Sequence, residues 1–184
     1  MTDWQSGFTS GVTATLIGFL CTILWDVYKY KRDKSDKENN VINSVIDDIS
    51  ENIEILINNK SLIQNELDVI SKHQMLVVPL QVFRTGFWAL IKIERPDFLI
   101  KTESIFSDLK AIYDGLDYVD ECMKGRQLYR MTNMALTSFH ADVKKQDEIL
   151  MHQFNDIRPK LDNMLSALEN LTKRSSKDAL KRAA

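Results

Sequence analysis

Between Asp3 and Asp26 the chain carries 22 consecutive positions without a charged residue. At about 1.5 Å per helical residue the run covers about 33 Å, close to the hydrocarbon thickness of a bilayer. Residues 4–25 are therefore expected to form a transmembrane helix. Trp4 and Phe8 at one end, and Trp25, Tyr28 and Tyr30 at the other, stand where amphipathic rings meet headgroups. A cleaved signal peptide fits less well: it needs a basic start, a shorter apolar stretch and a small-residue cleavage site, whereas Met-Thr-Asp precedes this run and Trp25-Asp26-Val27-Tyr28 closes it. A buried core helix is disfavoured by the length of the run and its lack of charge. The basic cluster Lys29, Lys31, Arg32, Lys34 and Lys37 comes next, and such clusters stay on the cytoplasmic side. The expected location is the cell inner membrane, single-pass, with the N-terminus outside and the C-terminal domain cytoplasmic.

Winding residues 6–27 onto a helix places Gly7, Gly11, Ala14 and Gly18 on one stripe and Phe8, Val12, Leu16, Phe19 and Ile23 opposite. Small residues at intervals of three or four let helices approach closely, so the stripe is expected to be a helix–helix interface between copies. Ser6, Ser10 and Thr13 flank it, with Ile17 and Leu24 further along, and in a ring of copies these five residues would line a pore. The alternative is that the hydroxyls bond carbonyls of their own helix.

At 184 residues the chain has room for one domain and an anchor, and its net charge of -2 argues neither for a nucleic-acid binder nor for an acidic disordered tail. Cys21 and Cys122 are too far apart in this organisation to pair, so no disulfide framework is expected. The segments read as a transmembrane helix with flanks (1–28), a basic linker (29–38), a cytoplasmic helical domain (39–174) and a disordered tail (175–184). The expected class is all-α, a transmembrane helix followed by a bundle of about four helices.

Within the domain, Ile42, Ile46, Ile49, Ile53, Leu56, Lys60, Ile63, Leu67 and Ile70 alternate at spacings of four and three, a heptad seam breached by Lys60. The outer faces of residues 38–72 hold seven acidic groups against two basic ones. A second helix is expected from about Pro79 to Ile93, since proline suits a first helical turn and Arg95-Pro96 ends the pattern. A third runs from Thr102 or Glu103 to Met123, closed by Gly125, with Ile105, Phe106, Leu109, Ile112, Tyr113, Leu116 and Val119 inside. The last starts near Thr132 and buries Leu136, Phe139, Val143, Leu150, Phe154, Ile157, Leu161, Met164, Leu165, Leu168 and Leu171, with a kink expected at Pro159.

No glycine-rich phosphate loop, no G-x-S-x-G and no metal-ligand spacing is present. No catalytic, metal or cofactor residue is therefore expected, and no cofactor. His73, His140 and His152 each read as packed or solvated side chains. A small helical domain invites comparison with HEPN ribonucleases, whose motif sets an Arg a few residues before a His on one helix. Arg130 and His140 are the nearest such pair and have nine residues between them, too many to share one helical face, so they are weak nuclease candidates.

The lone span with its small stripe, the basic linker and the short helical domain resemble, as an architecture, the small membrane accessory proteins of type VI-B CRISPR systems, with a degenerate HEPN-like domain. That resemblance implies a homo-oligomer in the lipid bilayer, forming a pore through its N-terminal helices and defending against phage by membrane depolarisation. It also implies a partnership with an RNA-guided nuclease or another defence protein, and no direct nucleic-acid binding. The competing expectations are a membrane-tethered adaptor that recruits a partner and, with less support, a HEPN-type ribonuclease.

Overall fold

The computed structural model of the chain describes the backbone of residues 3–72, 74, 79–94 and 103–183, and the side-chain surroundings of these except at 3–18, 20, 35, 94, 103–104 and 174–183. Among the described residues the chain is all-α. Its helices are α1 (Asp3–Ile70), α2 (Gly86–Glu94), α3 (Glu103–Asn133) and α4 (Phe139–Ala183). The chain divides into two compact units, residues 1–41 and residues 42–184.

Among the described residues no helix is long and apolar enough to cross a membrane. This overturns the transmembrane helix expected over 4–25, and with it the single-pass inner-membrane location and the membrane pore. Among the described side chains the uncharged stretch before Asp26 is Phe19 and Cys21 to Trp25, where a span needs about 20 apolar residues, and Asp26, Lys29, Lys31, Arg32 and Asp33 follow in the same helix. Gly7, Gly11, Ala14, Gly18, Ser6, Ser10, Thr13 and Ile17 lie outside the described side chains.

The unit 42–184 is organised around three long helices whose buried positions recur at three and four. On α3 these are Leu109, Ile112, Tyr113, Leu116, Val119 and Met123; on α4, Phe139, Val143, Leu150, Phe154, Ile157, Leu161, Met164 and Leu168. α3 and α4 pass closely at Gly115, where an added Cβ would stand 3.1 Å from Cδ1 of Ile157. α3 continues through Gly125 to Asn133, and α4 begins at Phe139 and runs through Pro159 into the segment 175–184. Leu136, expected in the core, lies in the exposed turn between them.

The inner face of α1 differs from the expected seam at three of its nine positions. Ile42, Ile49, Ile53, Leu56, Ile63 and Ile70 are buried as expected, but Val45, Asn52, Asn59 and Glu66 are buried between them, while Ile46, Lys60 and Leu67 are only partly covered. Asn52, Asn59 and Glu66, like Asp48, are thus buried polar residues of α1, each against a specific partner. That is how polar groups survive burial.

Residues 79–85 are extended, not the start of a helix. Asn52 and Asn59, two helical turns apart, each grip the backbone of this strap at both its polar groups. Asn52 Nδ2 donates to the carbonyl of Arg84 at 2.8 Å and its Oδ1 accepts the Arg84 N–H at 2.7 Å. Asn59 does the same at Gln81, at 2.7 and 2.8 Å. Asp120 of α3 accepts the N–H of Phe83 at 3.0 Å, and the Phe83 ring enters the core edge-on to Phe154. A helix over these residues would need their N–H and C=O groups for itself, and the side chains of α1 and α3 claim them first. α2 begins one residue later and lays Trp88 flat on Tyr113, with ring centroids 5.2 Å apart.

Candidate interaction surface

From Phe19 to Tyr30 the helix α1 exposes Phe19, Ile23, Leu24, Trp25, Val27, Tyr28 and Tyr30, each between 42 and 69 % accessible. At 3.6 residues per turn these seven wrap more than half of the helix circumference. Scattered apolar residues on a surface are ordinary, whereas a contiguous exposed run of this size is uncommon on a monomer. The rings of Trp25 and Tyr28 lie 6.0 Å apart and form its aromatic part. Asp26, Lys29, Lys31 and Arg32 intersperse charges of both signs, and Arg32 meets Asp36 at 4.0 Å on the solvent side. Leu24 is the one expected pore-lining residue among the described side chains; it is exposed.

Arg130 and His140, the weak nuclease candidates, have other surroundings. Glu66 of α1 pairs with both Arg126 and Arg130 of α3, and Arg126 also pairs with Asp147 of α4. The four residues form one charge-balanced layer in which Glu66, Arg126 and Asp147 are no more than 3 % exposed. Burial pulls the Arg130 guanidinium below its usual range and the charge of Asp147 opposes that shift. With one edge on Glu66 and the whole group buried, Arg130 presents no cation to a phosphate from solvent. His140 lies edge-on to Phe139 at 5.8 Å, and its buried Nδ1 has no hydrogen-bond partner among the described residues. Nor do three or more metal-ligating side chains cluster among the described residues.

A second buried polar contact lies between α1 and α3, where the Tyr113 hydroxyl donates to Asp48. Burial pushes the Asp48 carboxyl above its usual range, while the bond from Tyr113 and the charge of Arg84 oppose the shift. Burial and the same bond push the Tyr113 hydroxyl up as well. Asp120 is raised by burial too, against the pull of the Phe83 N–H. These are groups of the frame, held by packing and by one another.

Sequence reading missed Asn52, Asn59 and Glu66 because it sought apolar residues for the seam. The available signal was their own period: Asn52, Asn59 and Glu66 follow one another at seven, one heptad apart. The chain matches no protein-family model, no curated protein and no solved structure.

Proposed function

We propose that this chain is a self-associating adaptor, an interaction protein without catalytic chemistry of its own, whose copies come together along the N-terminal part of α1. The observation that carries the reading is the exposed apolar run from Phe19 to Tyr30. Fully burying side chains of this kind is worth about 1.5–3 kcal/mol each, and a helix without packed neighbours draws little stability from propensity alone. One flat partner surface would cover one side of such a run. Several copies of the same helix cover all sides, and the mixed signs of Asp26, Lys29, Lys31 and Arg32 let neighbouring copies pair their charges. The small stripe Gly7, Gly11, Ala14 and Gly18 precedes the run in sequence and suits close backbone approach between copies. Assembly leaves the helical unit 42–184 to engage a partner, and the architectural resemblance makes an RNA-guided nuclease or another defence protein the first one to test.

Sedimentation velocity on the full chain tests the reading. The expected result is a discrete multimer that falls to monomer in the double variant Ile23→Asp, Leu24→Asp with helix content unchanged by circular dichroism. A wild-type chain that stays monomeric across the measurable concentration range overturns it.

A further inference from the structure

The strap 79–85 sits on α1 in the way a bound peptide sits on a receptor. Asn52 and Asn59 take both backbone polar groups of Arg84 and of Gln81, so their four bonds read an extended main chain at two points three residues apart and ignore which side chains stand there. Asp120 takes a fifth backbone group, the N–H of Phe83. Selectivity comes from two side chains only. Phe83 is the buried anchor, against Phe154, while Leu80 is partly covered and Gln81, Val82 and Arg84 are exposed. Arg84 forms an ion pair with Glu51. Beside it an open cavity of about 530 Å³ is lined by Glu51, Glu54, Asn58 and Arg84, an acidic rim with one cation in it.

Ordinary core segments are held by apolar area. This one is held mainly by side-chain amides, each net hydrogen bond worth about 0.5–1.5 kcal/mol, around a single buried ring. Water or another peptide backbone can replace such bonds one for one. We propose that the Asn52–Asn59 face of α1, with Asp120, is a peptide-reading groove occupied in the resting chain by its own strap. The occupant it accepts in exchange is an extended segment of a partner protein carrying an aromatic residue followed directly by arginine or lysine. The aromatic residue takes the Phe83 seat, the cation meets Glu51 and Glu54, and the flanking residues are free to vary. This is strand-like recognition performed by a helix: main-chain bonds supply affinity and alternate pockets supply choice. The groove lies within the unit 42–184 and is read by peptide binding, so its failure leaves self-association standing, and the reverse.

The first measurement uses the wild-type chain alone. In native-state hydrogen exchange the amides of Gln81, Phe83 and Arg84 are expected to exchange at least about tenfold faster than those of Ile49–Ile63 in α1, which reports strap opening below global unfolding. Exchange of both sets at one rate makes the strap part of the cooperative core and overturns the proposal. The second uses a fluorescein-labelled peptide with the sequence of residues 79–86 and the full-length chain. Anisotropy should rise on binding, and Phe83→Ala in the chain should tighten binding about tenfold by weakening the internal competitor. A peptide with proline at the Gln81 and Arg84 positions, which lacks both amide donors, should not bind, and neither should a peptide with alanine for phenylalanine. An alanine-based peptide keeping only the Phe-Arg pair should still bind. Equal binding of the proline peptide overturns the proposal, as does failure of the Phe-Arg peptide. If Phe83→Ala unfolds the chain, the wild-type exchange and wild-type binding decide alone. A dimer that forms with strap protection intact and excludes every added peptide would show exchange of the strap between copies and overturn the partner reading.

Discussion

The two halves of α1 invert the usual assignment of residues to environments. Along residues 19–30 large apolar side chains stand exposed. Along residues 42–70 Asn52, Asn59 and Glu66 are buried at every second turn. The difference lies in what surrounds each stretch. The later half has partners within its own unit that satisfy its polar groups one by one, whereas the earlier half has no described neighbour that covers its apolar ones. A polar residue on a helix is thus no guide to the outer face when a matching group waits across the core, and an apolar one is no guide to the inner face when nothing waits there.

That contrast can be broken most forcefully at Glu66. Glu66→Ala leaves Arg126 and Arg130 buried with Asp147 as the only counter-charge, and loss of one partner from a buried ion cluster costs about 3–5 kcal/mol. Urea denaturation should show it, and simultaneous replacement of Glu66, Arg126, Arg130 and Asp147 by Leu or Met, which removes the whole buried cluster, should recover most of the loss. In the earlier half the opposite holds: Leu24→Asp should change unfolding of the unit 42–184 by no more than about 0.5 kcal/mol, as for ordinary surface substitutions, while weakening association in sedimentation.

Asn52→Ala is the next test in size. It strips Arg84 of two hydrogen bonds and should cost about 1–3 kcal/mol, with faster exchange of the Arg84 amide and little change in α3. The smallest effect is expected from Asp48. Its folded pKa is raised above the unfolded value of 3.8, so the folded chain binds the proton more tightly than the unfolded one. Stability therefore falls as pH rises from 3.8 through the raised value, and the burial cost is fully in place above it. Asp48→Asn should flatten that slope without abolishing it, since Asp120 and Asp147 are raised by burial as well. Thermal unfolding measured across that pH range checks the sign.

Much of the frame was legible in advance. The apolar spacing on α3 and α4 picked out Leu109, Ile112, Tyr113, Leu116, Phe154, Leu161 and Leu168 before any coordinates, because apolar residues at three and four define one face wherever they are packed. The strap was not legible. Pro79 with the apolar residues after it reads equally well as a helix start, and only Asn52, Asn59 and Asp120, at sequence distances of 22 to 37, decide that the backbone is extended. The surroundings of Arg130 were hidden for a similar reason: it faces Glu66 across the core, 64 positions away in the chain, and no local pattern announces that partner.

By itself the sequence determined the helical class, the faces of α3 and α4, and the uncharged run that precedes the basic cluster. All of these depend on residues three or four apart. Tertiary structure alone decided which polar residues turn inward, that residues 79–85 lie along α1 as a strap, and that Arg130 is committed to Glu66. Those outcomes depend on pairs of hydrogen-bonding groups that meet only after the helices pack, since a buried polar group is stable only where its partner stands within bonding distance.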